Sequence, residues 1–569
     1  MAVDFKSILC LTFIGLSIIV ASYHADALPQ SNDFRSFSKE KYNCSSARKD
    51  DSSNHGGNLE TRFDSINGVQ NKKKVVLLVN KDIVSNETDD DRTMDNSSRG
   101  FSFVDIIESM FSAVANGIGS IMTSIIGTEK SSKSRSARVS YRNYQLIRIY
   151  PNTQGEVNDL IELKEAEPDD VKFWTQPMHN KTTDVLVAPD LISDIKTFLR
   201  DRGIDFRVLI PDLQRTIAHQ NPKLSKEQRE DLVSNQGHSM TWKRYHRYGD
   251  IVKYLEYLAD AYPRTVELIT IGHSYEGQPI KMVKISTGPT KEGGSKPAIW
   301  IDAGMHAREW IGSAVATYIV SQLVEKNSSY SKLLENSDWM ILPVANPDGY
   351  EFTHTGDRLW RKTRSNYGDS QDDSRLLQLV NHYSNWFWGK CEGVDPNRNF
   401  GYHWGEVEEG GASLDPCHDT YAGPYAFSEP ETKAMADYIL ANKQNIRMYL
   451  TLHSYSQMWL VPWGYTYSRP SDYSELVNVA KKAIGAISKI HGTAYQLGPS
   501  ADLLYPTSGA SDDWAKGVAG IKYAYTLELR DRGTYGFLLP ATQIVPTARE
   551  IWAGIRTIAR LVTCNTWNQ

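Results

Sequence analysis

Residues 240–569 predict a large α/β sheet covered by helices, and residues 139–222 predict a small α+β unit ahead of it. Three observations lead there. Apolar strand-like runs alternate with helical stretches through the C-terminal region, short strands and helices alternate through 139–222, and a charged stretch over 223–239 separates the two. In the small unit, 139–150 alternates as a strand, 154–163 reads as a helix and 184–188 as a strand. Helical periodicity over 191–202 and a last strand over 206–210 complete it. In the large region, 298–301, 339–344 and 448–452 read as buried strands. Ser428 and Glu431, three apart, read as a capping box opening a helix over 432–441.

The first 27 residues read as an export signal. Lys6 precedes an apolar run over 8–21, and Ala25-Asp26-Ala27 supplies small residues for cleavage. A retained anchor is the alternative, but the run is shorter than the roughly 20 residues a span needs. Residues 28–138 are polar and rich in Ser, Asn, Asp and Lys, the composition of a disordered extension. Within it, 101–127 mixes apolar residues with Gly and Ser, reading as an amphipathic helix that touches a partner or a membrane surface. A net charge of −5, from 63 basic and 68 acidic residues, offers no field for gripping nucleic acid.

Of five cysteines, Cys10 falls in the signal, while Cys391 and Cys417 flank one loop-rich stretch and would pair in an oxidising compartment. Nothing pairs Cys44 with Cys564. Glycosylation triplets at Asn43, Asn86, Asn96, Asn180 and Asn327 agree with export to the outside of the cell. The exposed Lys and Arg residues of 223–239 are natural targets for a protease.

Three clusters carry chemistry. His306-Ala307-Arg308-Glu309 follows an apolar strand and the small residues Asp302-Ala303-Gly304, where α/β proteins place their sites. A His and a Glu three apart converge on one ion if the loop turns sharply, yet a catalytic zinc takes three protein ligands and keeps one position open. By itself the pair reads more readily as a surface His and Glu beside a helix start. His453 ends a second apolar strand, as either a ligand or a core histidine satisfied by the backbone. Glu528, in the cluster 523–531, sits at the end of an alternating strand, where a carboxylate needs a reason; an ion pair with Arg530 or Arg532 is the plainer one.

These motifs occur in order with Arg358-Leu359-Trp360-Arg361-Lys362-Thr363-Arg364 and Asp395-Pro396-Asn397-Arg398-Asn399. The set resembles the zinc metallocarboxypeptidases of the pancreatic A/B type over about 245–559, and 139–222 resembles that family's activation domain by length and position. The resemblance implies a mixed central sheet flanked by helices, one Zn²⁺ per catalytic domain, and His306, Glu309 and His453 as its ligands. Asp395 would orient His306, Glu528 would be the general base, and Arg361 would steady the oxyanion with the metal. Asn397, Arg398 and Tyr505 would clamp the terminal carboxylate of peptide and protein substrates, with Arg308 lining the approach. The family also implies a zymogen opened by a trypsin-like protease within 223–239, and we expect a monomer.

Residues 505–514 match the family segment without a gap, which puts Asp512 at the specificity position on the pocket floor. A carboxylate there implies preference for Lys or Arg ends; turned aside, it would leave an apolar pocket with A-type preference. An insertion over 365–390 could border the cleft. A non-catalytic binding protein on this fold would be expected to have lost a ligand, base or clamp residue, and none is missing. An endopeptidase of the H-E-x-x-H type lacks its motif at His306.

Overall fold

The computed structural model describes residues 138–167, 170–290, 293–366, 391–406 and 411–563. The predicted signal, nearly all of the polar extension with its 101–127 segment, Cys44, Cys564 and residues 367–390 of the insertion lie outside these.

The small unit runs β1 (Gln145–Tyr150), α1 (Gln154–Ala166), β2 (Val171–Phe173), β3 (Thr183–Val187), α2 (Ile192–Asp201), β4 (Asp205–Ile210) and α3 (Leu213–Gln220). Its sheet order is β2-β3-β1-β4, with every pair antiparallel. Thr153 starts α1 by accepting from the Glu156 amide, and Val157, Leu160 and Leu163 fall on one buried stripe. Strand alternation then divides the apolar residues. Ile147, Ile149, Val185 and Val187 pack under α1 and α2, while Leu146 and Leu186 point away, onto Leu359, Tyr455 and Phe537 of the large unit. One sheet face therefore closes the small core and the other docks.

Two readings of the sequence need correction. The strand expected over 139–150 begins only at Gln145, because Asn143 takes a left-handed turn (φ 62°). The preceding residues dock instead: the Val139 amide donates to the Gly356 carbonyl and the Tyr141 hydroxyl to Asp357. The capping box at Ser428 does not form either. Pro430 opens that helix, which makes Glu429 the cap residue, and the Glu431 carboxylate accepts from the Tyr275 amide instead. A complete capping box appears where only a charged connector was read, Ser225 with Gln228 at the start of α4 (Lys226–Gln236). No residue of α4 is buried.

The large unit continues with α5 (Tyr248–Ala261), β5 (Val266–His273), β6 (Pro279–Ile285), β7 (Ala298–Ala303), α6 (Trp310–Val324), α7 (Asn327–Asn336), β8 (Asp338–Leu342) and α8 (Pro347–Thr355). After the Cys391–Cys417 disulfide come α9 (Pro430–Asn442), β9 (Ile446–Ser454), β10 (Met458–Val461) and α10 (Tyr473–His491). Then follow β11 (Gln496–Pro499), α11 (Ser500–Leu503), α12 (Ser511–Gly517), β12 (Tyr523–Leu529) and α13 (Ile544–Thr563). The eight strands order as β11-β10-β12-β9-β7-β8-β6-β5. Strands β12, β9, β7 and β8 are mutually parallel, and antiparallel pairs at β10–β12, β8–β6 and β6–β5 make the sheet mixed.

All six residues of β7 are buried, which explains its unbroken apolar reading. Ile299 and Ile301 face a core that includes residues of α5, α6, α10 and α13; Trp300 faces the opposite core with Met435 and Trp514. Each such side chain contributes about 1.5–3 kcal/mol by leaving water. Because β7, β9 and β12 run parallel, their C-terminal ends share one edge of the sheet. Among the described residues no helix is long and apolar enough to cross a membrane.

Candidate active site

The chain leaves β7 through Gly304, whose positive φ of 64° and close neighbours (a Cβ would meet Ser313 Oγ at 2.6 Å) exclude other residues. The turn is held by the Ala307 amide on the Arg361 carbonyl and the Glu309 amide on the His306 carbonyl, and Glu309 stands at the N-cap position of α6 with its carboxylate turned away from the helix amides. His306 and Glu309 thus end on one side. His453 arrives from the end of β9, and Glu528 lies opposite it in the parallel β9–β12 register.

The three groups meet closely. His306 Nδ1 lies 2.9 Å from Glu309 Oε1, and His453 Nδ1 lies 3.1 Å from Glu309 Oε2 and 3.1 Å from His306 Nδ1. His306 Nε2 faces Asp395 Oδ1 at 3.0 Å; an ionised carboxylate only accepts, so that nitrogen carries the proton. His453 Nε2 faces the Thr451 hydroxyl at 3.0 Å, and that hydroxyl donates to Asp302 Oδ1 at 2.7 Å. Both Nδ1 atoms therefore converge on one another and on the Glu309 carboxylate, all buried. Such a constellation could hold a metal ion, and a two-His, one-carboxylate set suits a catalytic zinc.

The surrounding charges are consistent with this. Burial alone would raise the Glu309 carboxyl, but the two histidines outweigh it and hold it below the usual range. Burial opposes protonation of His453, yet Glu309 prevails and lifts it to about 8. Burial and Arg361 together lower His306 despite Glu309 and Asp395. Glu528 is pushed up to about 8 by burial and by Glu309. Its side chain keeps some exposure, onto the cavity rather than bulk water.

Arg361 grips Asp395 Oδ2 through Nε at 3.0 Å and Nη2 at 2.8 Å, so one carboxylate orients both His306 and Arg361. Asn397 and Arg398 follow Asp395 in a short 3₁₀ turn. Asn397 Oδ1 accepts from the Ser511 amide, and Arg398 donates to the carbonyls of Asn397 and Gly411 and to the Tyr505 hydroxyl. These Arg398 partners are all neutral. Asp512, in the first turn of α12, is buried and its Oδ2 has no hydrogen-bond partner among the described residues; burial raises its carboxyl, opposed by a bond from Thr526. Arg308 lies over the Phe537 ring, with Nη1 3.3 Å from Asp419.

A cavity of about 1730 Å³ is lined by all ten residues singled out as ligands, base, oxyanion donor, clamp, pocket floor and approach, with Asp395 behind its wall. The small unit walls the other side. There Asp184 pairs bidentately with Arg148 and accepts from the Tyr455 hydroxyl at 2.7 Å, while Trp174 packs on Phe537. Sequence reading missed these groups, and it also missed Thr451 and Asp302. A carboxylate in an apolar run was the available signal for Asp302.

The charge balance sets a pH dependence. In the metal-free protein a proton occupies His453 below about pH 8. Metal must displace that proton, so affinity should fall by up to about tenfold per pH unit as pH drops below 8. Competition titrations with a chelator, repeated between about pH 6 and 8, measure it; a pH-independent affinity would contradict the proton count.

Comparison with known proteins agrees with this geometry. The zinc carboxypeptidase family profile matches residues 251–554, and the carboxypeptidase activation peptide profile matches 147–220. Carboxypeptidase B of Astacus astacus is 46% identical over 323 residues, 57% of this chain and 98% of that protein. Carboxypeptidase A2 of Mus musculus is 38% identical over 422 residues, 73% of this chain and 92% of its own. The crystal structure of thrombin activatable fibrinolysis inhibitor superposes with a TM-score of 0.64 at 34% identity, covering 75% of this chain and all of that one. With a metal-binding trio at the strand ends and a small unit over the cleft, the chain belongs to the zinc carboxypeptidases, as a zinc-dependent metallocarboxypeptidase that carries its own activation peptide.

Proposed function

We propose that the protein is secreted as a zymogen and, once trimmed, removes Lys or Arg from the C-terminal ends of peptides and proteins. The observation that carries the preference is Asp512, a buried carboxylate on the cavity wall with one oxygen unpartnered among the described residues. An uncompensated carboxylate in such a place is costly, and a substrate ammonium or guanidinium relieves it. Relatives named carboxypeptidase B and carboxypeptidase A2 are both similar to this chain, so the preference rests on Asp512.

In this reading His306, Glu309 and His453 hold zinc, with Asp395 fixing the His306 ring. Zinc, when bound, supplies Lewis-acid polarisation to the attacking water and the scissile carbonyl. Arg398, whose bonds go to neutral oxygens, meets the substrate's terminal carboxylate together with Asn397 and the Tyr505 hydroxyl. That grip places the last peptide bond, and no internal one, beside Glu528. Glu528 takes the proton from the attacking water and passes it to the leaving amine. Arg361 spends Nε and Nη2 on Asp395, leaving Nη1 for the carbonyl oxygen as negative charge develops. Arg308 lines the approach.

Secretion is supported by the export-type N-terminus and by the Cys391–Cys417 disulfide. A trypsin-like protease would find Lys223, Lys226 and Arg229 exposed on or beside α4. All the proposed catalytic groups come from one chain, which suits a monomer.

Three outcomes test the proposal. Glu528→Gln should bind zinc normally and lose about 10²–10⁴-fold in kcat, read on the trimmed protein; full turnover would remove Glu528 as the base. Asp512→Ile should reverse the ratio of kcat/KM for peptides ending in Arg against those ending in Leu or Phe, and an unchanged ratio places the pocket floor elsewhere. The intact chain should be inactive until cut within 223–239. An uncut chain as fast as the trimmed one would end the inhibitory role of the small unit.

A further inference from the structure

We propose that Thr451 and Asp302 form a hydroxyl–carboxylate relay that selects the ring nitrogen with which His453 meets zinc. The inference rests on His453 being a zinc ligand, and it assigns positioning roles to two residues outside the ligand set.

The relay is a product of sheet register. Parallel pairing of β7 and β9 sets Asp302 opposite Thr451. The two-residue period of a strand puts Thr451 and His453 on the same face of β9. All three are buried, so solvent does not supply the bonds they need. From one end, Trp300 Nε1 donates to Asp302 Oδ2 at 2.8 Å; Thr451 Oγ1 donates to Asp302 Oδ1 at 2.7 Å; and His453 Nε2 lies 3.0 Å from the same Thr451 oxygen.

Direction follows from proton counting. Indole N–H only donates, so Asp302 Oδ2 receives. Burial raises the Asp302 carboxyl, opposed by the bonds from Thr451 and Trp300, and in the ionised form that those bonds favour both oxygens receive. The single Thr451 hydroxyl proton is committed to Asp302. Its oxygen can then only accept from His453, which places the ring proton on Nε2 and the lone pair on Nδ1, toward Glu309 and His306. His306 reaches the same state by a different route, through direct contact with Asp395. Asp395 also holds Arg361, whereas Asp302 serves His453 alone among the ligands. The two histidines are thus oriented independently.

The substitution Asp302→Asn makes the sharpest test because it hardly changes shape. An asparagine must offer its oxygen to the Trp300 N–H and therefore its amide N–H₂ to Thr451. The hydroxyl would then donate to His453 Nε2 and turn the proton pattern around. Thr451→Val removes the relay altogether, and Thr451→Ser keeps it.

The experiment measures the zinc dissociation constant of the full-length protein by chelator competition, for the wild type and these three variants. Thr451→Val and Asp302→Asn should each weaken zinc binding about 10–100-fold, with Thr451→Ser close to wild type. Tight binding by Thr451→Val, or a serine variant as weak as the valine one, would overturn the relay. Nitrogen-15 NMR of the zinc-loaded wild type needs no variant and covers the case where valine prevents folding. His453 should show a protonated, slowly exchanging Nε2, and an unprotonated Nε2 would overturn the proposal. Wild-type protein that takes up no zinc would overturn the ligand assignment and the relay with it, an outcome distinct from tight wild-type binding that Thr451→Val leaves unchanged.

Discussion

The parallel register of β7, β9 and β12 is the constraint from which the site follows. It sets Asp302 beside Thr451 and His453 beside Glu528, and it brings the turn after β7 to the same edge as the end of β9. A slip of one residue in β9 would turn His453 and Thr451 to the opposite face, into the other core. Buried apolar residues on both faces hold that register, so the packing that stabilises the sheet also sets ångström-scale distances among groups far apart in the chain. Strand ends, unlike long loops, move little. That rigidity suits a metal whose donors must already be in place.

Charge management divides the cavity residues into two kinds. Asp395, Glu309, His306, His453 and Arg361 satisfy one another, in a network where each group has a named counterpart. Arg398 and Asp512 differ: the first is bonded to neutral oxygens and the second keeps an oxygen without a partner among the described residues. Both line the cavity, within reach of a ligand.

How much of this was legible depended on whether a residue's role is local in sequence. His306 with Glu309, His453 and Glu528 stood out because each ends or follows an apolar run where a polar residue is unexpected. The α/β sheet and the small α+β unit followed from periodicity, and the mixed sheet from the family resemblance. Cross-strand roles did not. Asp302 read as one more small residue before Gly304, since its partner Thr451 lies 149 positions away and only register joins them. The Ser428–Glu431 spacing suggested a cap that Pro430 overrides by starting the helix itself. The strand boundary at Gln145 hinged on one backbone dihedral at Asn143, which sequence alternation does not encode.

The small unit's last helix has one further consequence. Gln220, at the end of α3, is buried in the large unit, where it donates to the Phe537 and Leu539 carbonyls and accepts from Arg358 Nε at 2.9 Å. These bonds lie before the segment proposed for cutting, so severing α4 leaves all of them intact. What the cut changes is the statistics of encounter. A tethered inhibitor sees its target at an effective concentration in the millimolar range for a short linker, and a severed one sees only the bulk. The released activity of this protein would then depend on how far the nicked complex is diluted, as well as on how fast it is nicked.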